Sequence, residues 1–348
     1  MIRNHGHAFS APGSYHSDLA ADLVPINESD QPGIVAFLLS AFDLPADAPF
    51  VEPQLFRWKT FETRPDWRGS RGYALKQNGR TVAYGCVYPV TFHTPQRTIS
   101  SMRILDWAAS RDTPGAGVTL FLKLAALADT AFAVGGSPQT QAIMPKIGFA
   151  PRGSIDVYAR VVRPWKQFRA TGGDGWKALG RLLRNTFWSL RAVRPIAGDW
   201  SSVKVSHLDT PRRPAEIMDF LARCPGANLS AHLIRQSGQE RGYFLLNRVR
   251  GQSRIVDISV HSAEIAGWQA AYALAAREAG RDPQACEIMA TASTDLTRQA
   301  VVANGFMLRR RDPFFLYDPK GLLAEPPALT LLDGDEWFLS DLGYPFLT

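Results

Sequence analysis

The first half of the chain carries an order of hydrophobic patterns that predicts alternating strands and helices. Residues 103–110 form an apolar run of strand length, and residues 118–129 repeat their apolar positions at helical spacing. A shorter apolar run at 131–135 and a second helical pattern at 137–149 follow. This order predicts a strand–helix–strand–helix unit.

The second half repeats the same order of patterns. Residues 254–261 and 286–293 predict strands, and residues 267–280 and 294–306 predict the helices that follow them. A periodic repeat of this kind indicates that one structural unit occurs twice along the chain.

Two short motifs occur at matching places in both halves. Arg-Ile-x-Asp lies on the first strand of each unit, and Gly-Phe follows the second helix of each. A hairpin is predicted upstream of each unit, at 72–90 with Asn78-Gly79 as its turn and at 241–259. The sequence therefore predicts an α/β protein with a mixed sheet, built twice. We expect the two halves to pack as lobes across a cleft.

A basic segment at residues 163–194 separates the halves. Eight of its residues are Lys or Arg and one is acidic, so it accounts for the whole net charge of +7. One face of its predicted helix is apolar: Trp176, Leu179, Leu183, Phe187 and Leu190.

Three interpretations of this segment are open. It is a bridging helix whose apolar face packs on a domain, a helix on an anionic membrane surface, or a nucleic-acid contact. We expect the bridging helix, and since no nucleic-acid-binding motif accompanies the charge, we predict no nucleic-acid partner.

These features divide the chain into five segments. We predict a flexible N-terminal tail at 1–20, a first domain at 21–162, a basic helical linker at 163–199, a second domain at 200–320 and a C-terminal extension at 321–348.

Composition narrows the class of protein. No apolar run approaches the ~20 residues that span a bilayer, and the N-terminal residues lack the apolar region of a secretory signal. Three widely spaced cysteines exclude a disulfide scaffold and a Cys-rich zinc site. We therefore expect a cytoplasmic protein without a metal. If the basic helix binds a membrane surface, the protein would also be peripheral to that membrane.

The repeated unit, with its glycine turn and the Lys-x-Gly-Phe motif at 146–149, resembles the GCN5-related N-acetyltransferase (GNAT) fold. Two copies make the chain similar to tandem acyltransferases such as Fem-type aminoacyl transferases and enzymes of polysaccharide gene clusters. The resemblance covers about residues 21–162 and 200–318. It implies two tandem GNAT-like acyl-CoA N-acyltransferase domains.

The turn after the first repeated strand suits a phosphate. Gly115 and Gly117 have no Cβ, and the following helix presents N–H groups and the positive end of its dipole. The resemblance implies that acetyl-CoA or another acyl-CoA binds there; a plain Pro-Gly turn is the alternative. The second half has only Gly267 at this place, so we expect the donor in the first half. The predicted cofactor-binding residues are Trp107, Ala108, Ala109, Ser110, Arg111, Gly115, Ala116, Gly117, Val118, Thr119 and Ser137.

Asp106 is the predicted catalytic residue. This acid interrupts an apolar strand just before the turn, where burial would raise its pKa and suit it to accept an amine proton. The alternative is an ion pair with Arg103 or another base, and the repeated Asp257 favours a structural role in both halves. The chain departs from the family where Asp112 replaces a Gln or Arg, and where Met144 and Val301 replace a tyrosine acid.

The resemblance implies an N-acyltransferase that moves an acyl group from acyl-CoA to a small-molecule amine. The acceptor would be an amino sugar or a lipid-linked intermediate. Two alternatives are open: an acyl carrier protein as donor, because its acidic surface would suit the basic linker, and a non-catalytic GNAT-fold scaffold.

Overall fold

A mixed β-sheet runs through the part of the chain that the computed structural model describes, residues 21–172, 175–191, 198–339 and 346–348. The predicted tail at 1–20 lies outside these residues. The strands are β1 (Asp22–Pro25), β2 (Gly72–Gln77), β3 (Arg80–His93), β4 (Thr98–Ala109), β5 (Thr130–Val134), β6 (Ala150–Val161), β7 (Asp199–Val203), β8 (Leu229–Gln236), β9 (Gln239–Val249), β10 (Gln252–Val260), β11 (Glu287–Ala292) and β12 (Met307–Tyr317). The α-helices are α1 (Gln31–Phe42), α2 (Pro53–Thr60), α3 (Ala116–Ala125), α4 (Pro138–Ile143), α5 (Pro164–Ala170), α6 (Trp176–Ser189), α7 (Ala215–Ala222), α8 (Ile265–Arg281) and α9 (Asp295–Ala303).

The strand order is symmetric about the middle of the sheet: β1-β2-β3-β4-β5-β12-β6-β11-β10-β9-β8-β7. β4 pairs with β5 and β10 with β11 in parallel, whereas the other neighbouring pairs are antiparallel. Both halves therefore share one strand order and one set of directions. The predicted α/β class with a mixed sheet is confirmed.

The last strands of the two halves are exchanged. β6 ends the first half but pairs with β11 of the second, and β12 ends the second half but pairs with β5 of the first. β6 and β12 also pair with each other. The halves thus form one continuous sheet, and not two separate lobes across a cleft. The exchange pairs the backbone groups that β5 and β11 would otherwise expose as edges.

Turn residues explain the hairpins. Asn78 and Gly79 have φ of 51° and 76°, the left-handed values that a tight hairpin requires, and they join β2 to β3 as predicted. The equivalent turn in the second half is Ser237-Gly238, with φ of 53° and 77°, between β8 and β9. The hairpin predicted at 241–259 is present as β9–β10, but it corresponds to β3–β4 and not to β2–β3.

The α2 and α7 helices meet on one face of the sheet. The Trp58 indole of α2 stacks on Phe220 of α7 with ring centroids 4.8 Å apart, and its Nε1–H donates to the Phe220 carbonyl at 3.1 Å. Trp337 and Phe338 of the C-terminal extension pack edge-on against the same indole. The extension therefore lies over the junction of the two halves.

The linker helix α6 turns the side that carries Asn185 toward the protein. Asn185 is buried and donates to Gln167 of α5 at 2.8 Å, and Arg160 of β6 donates to the Arg191 carbonyl. The apolar row faces solvent instead, with Trp176 85% exposed. The prediction that this row packs on a domain is wrong, because the side of α6 opposite the row faces the protein, where Asn185 meets the buried amide of Gln167.

Among the described helices, none combines the length and apolar character needed to cross a bilayer.

Candidate functional site

A β-bulge in β4 lies at the centre of the candidate site. Tyr84 of β3 pairs with Ala108, and Cys86 pairs with Leu105, so two residues of β4 oppose Gly85 alone. One of the two is Asp106, whose φ is +50°. A left-handed conformation is uncommon outside glycine but is tolerated by aspartate, and such residues concentrate at functional sites.

Beyond the bulge, β4 and β5 separate. They pair only where residues 101–103 face residues 130–132, although β4 continues to Ala109. The Ser110 N–H donates to the Val82 carbonyl at 2.8 Å, so this amide belongs to the β3 side. Because successive amides along a strand point to opposite sides, the Ala109 N–H points into the gap that β5 has left. Of the predicted cofactor-binding residues Ala109 and Ser110, Ala109 is therefore the one whose N–H faces this gap.

The glycine turn leads directly from this gap to the start of α3. Gly115 has φ of +84° and precedes the first helical residue, and its carbonyl accepts from the Thr119 N–H at 2.9 Å. Ala116, Val118 and Thr119 bury their side chains, so only their backbone could meet a ligand. The Ala116 N–H already donates to the Thr113 carbonyl at 3.2 Å, as the Thr119 N–H does to Gly115, so Gly117 and Val118 carry the amides that a ligand could use. The first N–H groups of a helix have no intrahelical partner, so this end of α3 suits an anion.

Gly117 holds α3 close to β4. The Trp107 Nε1–H donates to the Gly117 carbonyl at 2.9 Å, and a Cβ on Gly117 would lie 3.2 Å from the Ala109 Cβ. The glycine is needed for helix–strand packing as well as for any approach of a phosphate. A bulky substitution there would therefore disturb the fold.

Two charged residues flank the turn. Arg111 and Asp112 are both exposed, and the Asp112 amide donates to the Ser110 hydroxyl at 3.3 Å. The family-like pattern would have a Gln or Arg where Asp112 stands. Arg111 is the cation that the loop offers in its place.

The corresponding helix start in the second half is built differently. Glu264 precedes the first residue of α8, and a Cβ on Gly267 would lie 2.8 Å from the Ser262 Cβ. An acidic residue at a helix start disfavours a second anion there. The asymmetry predicted between the two halves is therefore present in their helix starts.

Asp106 forms a buried ion pair. Its carboxylate contacts the Lys59 ammonium of α2, and the two side chains are 6% and 2% exposed. Lys59 also donates to the Phe50 carbonyl at 3.1 Å and lies over the Phe50 and Phe56 rings. Burial raises the pKa of Asp106, while the Lys59 charge acts against that rise. Sequence analysis named Arg103 first as a partner, but Arg103 pairs with Asp335 at 3.4 Å.

The second half contains a matching pair. Asp257 lies at the bulge of β10, and its carboxylate accepts from Arg213 at 2.8 Å and from the Tyr243 hydroxyl at 3.0 Å. Burial would raise the pKa of Asp257, but the charges of Arg213 and Arg212 and the hydrogen bonds from Arg213 and Tyr243 together hold the pKa below its usual value. A carboxylate at the bulge, paired with a cation from an earlier part of the same half, is therefore common to both halves.

Lys59 is the site residue that sequence analysis missed. Its one signal is a lysine at helical spacing from the buried Leu55 and Phe56. Tyr84, beside the bulge, was also missed; it is fully buried, and burial raises its pKa well above the usual value. It therefore keeps its proton.

Ser137 and Met144 have structural surroundings. The Ser137 hydroxyl accepts from the Thr140 N–H at 3.2 Å and caps α4. Met144, at the position where the related fold often has a tyrosine, is fully buried. Neither side chain is free to act on a thioester in this arrangement.

The C-terminal extension covers the sheet beside the gap. Asp335 lies near Asp106 and raises its pKa further, and Glu336 pairs with Arg310 at 2.9 Å. Between the extension and the sheet is a cavity of about 20 Å³ lined by Arg103, Val134, Ile155, Val157, Thr291, Asp312, Thr330, Leu331 and Glu336. It has room for about one water molecule. The extension thus fills this side of the junction with acidic and apolar groups.

Within the described ranges, His, Cys, Asp and Glu side chains form no group of three or more that could hold a metal ion.

The comparisons with known proteins identify the fold. No family model and no curated protein matches the sequence. A GCN5-related N-acetyltransferase from Anabaena variabilis superposes with a TM-score of 0.56 at 12% identity, over 85% of this chain and 72% of that one. A conserved protein of unknown function from Enterococcus faecalis, named a probable N-acyltransferase, gives a TM-score of 0.52 at 12% identity, with the same coverage.

The chain has the GNAT fold. Identity at this level shows the fold alone, so the chemistry must be argued from the residues of this chain.

Proposed function

We propose that this GNAT-fold chain is an N-acyltransferase that uses an acyl-CoA bound to its first half. The observation that carries the proposal is an asymmetry. Both halves have a bulged strand that separates from its parallel neighbour beyond the bulge. Only in the first half does the next helix start directly after a glycine with positive φ, Gly115. The pyrophosphate of coenzyme A would lie at that start, where N–H groups and the helix dipole favour an anion.

The proposed reaction follows from the groups at the gap. The acceptor nitrogen attacks the thioester carbonyl carbon, the C–N bond forms, and the C–S bond breaks. The Ala109 N–H would stabilise the oxyanion, since it points into the gap. The amine proton would pass to Asp106, and the thiolate would take a proton from solvent, because Met144 supplies none.

Acidic groups favour an amine as acceptor. The charge of Asp335 lies close enough to raise the pKa of Asp106, and Asp312 and Glu336 line the adjoining cavity, where Arg103 and Arg310 pair with these three acids. Carboxylates attract an ammonium group and can accept its proton. An amino sugar or a lipid-linked amine, as in the tandem GNAT-like transferases, is the acceptor class that we propose.

The donor site can be tested with two single substitutions that change the charge beside the helix start. Arg111→Glu should weaken binding of acetyl-CoA or a longer acyl-CoA, and Asp112→Asn should strengthen it, each by a few-fold, since both residues are exposed beside the anion. Arg235→Glu, at an exposed position in the second half, is the matched control. Binding is measured by thermal stabilisation, about 2.7 kcal/mol at a hundredfold excess over Kd.

Turnover is measured by release of free coenzyme A thiol with a panel of amines. Stabilisation by acyl-CoA without any thiol release would favour the non-catalytic scaffold. Absence of both stabilisation and thiol release, with every acyl chain length tried, would refute the proposed donor. Thiol release from an acylated carrier protein, without release from any acyl-CoA, would show that the carrier protein is the donor.

A further inference from the structure

The exposed side of α6 is an apolar row about 21 Å long, since its residues span fourteen helical steps. Trp176, Leu183, Phe187 and Leu190 are between 66% and 85% exposed, and Leu179 is 44% exposed. Successive residues are about 100° apart around a helix, so Trp176 lies opposite the buried Asn185. The row therefore points directly away from the protein.

One flank of this row is cationic. Lys177, Arg181, Arg184 and Arg191 are exposed, and none of them has a carboxylate within 4.0 Å among the residues that the structure describes. The described residues of 163–191 include no Asp or Glu at all. Arg184 also lies over the Trp188 ring, 4.4 Å from its centroid, and Arg309 lies 5.3 Å from the same ring. Among the residues that the structure describes, no carboxylate therefore pairs with the cations of this surface.

We propose that the exposed face of α6 docks on an anionic membrane surface. An amphipathic helix lies in such a surface with its apolar side at the acyl boundary and its Lys and Arg at the level of the headgroups. The body of the protein packs on the opposite side of α6, so it would remain in water. This inference depends on α6 alone and is independent of the proposed acyl transfer.

Charge disfavours a second copy of the chain as the occupant. In a symmetric dimer the same patch meets itself. The cationic flank of α6 would then face an identical flank, and neither copy brings an acid from the described part of this segment. Nucleic acid would satisfy the cations but would leave the apolar row without a partner. Anionic lipid satisfies both.

The test is flotation of the full chain with vesicles of phosphatidylcholine, with and without phosphatidylglycerol, at low and high salt. We expect binding only to vesicles with phosphatidylglycerol, release by salt, and a blue shift of fluorescence that Trp176→Phe reduces.

Two pairs of substitutions separate charge from apolar contact. Lys177→Gln with Arg181→Gln should weaken vesicle binding roughly thirtyfold. Arg97→Gln with Arg235→Gln, two exposed cations elsewhere, is the matched control and should leave binding unchanged.

Leu183→Ser with Phe187→Ser should weaken binding about a hundredfold or more. Its control is Leu127→Ser with Val302→Ser, which are 44% and 54% exposed. All four residues are exposed, so the thermal unfolding of these variants should match that of the unmodified protein.

Four results would overturn the proposal. The first is no binding to phosphatidylglycerol vesicles at low salt, and the second is equal binding to vesicles of phosphatidylcholine alone. The third is vesicle binding that neither pair of α6 substitutions weakens. The fourth is binding to an acidic carrier protein without binding to vesicles. Self-association that Leu183→Ser with Phe187→Ser abolishes, again without vesicle binding, would assign the row to a second copy.

Discussion

Replacing Lys59 with methionine tests the buried ion pair at the centre of the site. The substitution keeps most of the side-chain volume but removes the ammonium group that contacts Asp106 and donates to the Phe50 carbonyl. Both members of the pair are almost fully buried, so water cannot replace the lost partner. Asp106 is left as an unpaired buried carboxylate.

The expected loss of stability is large. Removing one partner of a buried pair costs about 3–5 kcal/mol, because the other charge stays desolvated. Arg57→Met is the matched control on the same helix, since Arg57 and its partner Glu28 are 62% and 56% exposed. An exposed pair of this kind contributes at most about 1 kcal/mol. Adding Asp106→Asn to Lys59→Met should restore part of the loss.

The measurement is equilibrium unfolding in urea, with a double-mutant cycle over Lys59 and Asp106. We expect a coupling free energy well above that of the Arg57–Glu28 pair. If Lys59→Met destabilises the protein no more than Arg57→Met does, the pair does not hold the bulge in place, and the reasoning is refuted.

The same variant separates a catalytic from a structural role of Asp106. The Lys59 ammonium opposes the rise in the pKa of Asp106, so removing it should raise that pKa. If Asp106 accepts the amine proton, the acid limb of the pH–rate profile moves to higher pH in Lys59→Met and stays in place in Lys59→Arg. A limb that does not move in either variant assigns Asp106 to the structure of the bulge.

Two further predictions concern the second half and the junction. The pKa of Asp257 is held low by Arg213, so this pair stabilises the fold above about pH 3.9 and the stabilisation is lost as pH falls through the lower folded-state pKa. Asp257→Asn should be less stable than the unmodified protein at neutral pH and should not lose this stabilisation as the pH falls. The measurement is acid unfolding followed by circular dichroism, and equal acid sensitivity of the two proteins would contradict the assignment. Trp58→Ala should cost about 3–5 kcal/mol in urea unfolding because the indole is buried between α7 and the C-terminal extension. Trp165→Ala, at a side chain 53% exposed, should cost under about 0.5 kcal/mol, and similar costs for both would show that the junction is not held by this contact.

Local features of the sequence determined much of the fold. Asn78-Gly79 predicts the turn of β2–β3, because few residue pairs adopt two left-handed conformations in succession. The glycine turn predicts the start of α3, since Gly115 takes a positive φ there. Periodicity also predicted the order of strands and helices that recurs in the GNAT fold. These signals depend on residues that are close together in the sequence, so they can be read without knowing which residues are neighbours in the folded protein.

The sequence also located the bulge carboxylates of the candidate site, but not their partners. Asp106 and Asp257 stand out as acids within apolar strands, whereas Lys59 and Arg213 come from segments more than forty residues upstream. Distance along the chain says nothing about which cation a buried carboxylate meets. The ion pair that sets the pKa of Asp106 is therefore a property of the packed fold.

Two other features were decided by the tertiary structure alone. The exchange of β6 and β12 depends on which sheet edges remain unpaired after both halves have formed, and no local pattern records that choice. The orientation of α6 depends on the surface beneath it. Gln167 presents a buried amide there, so the side of the helix that carries Asn185 turns inward and its apolar row faces outward. An amphipathic pattern predicts that a helix has two faces, but the partner surface decides which one is buried.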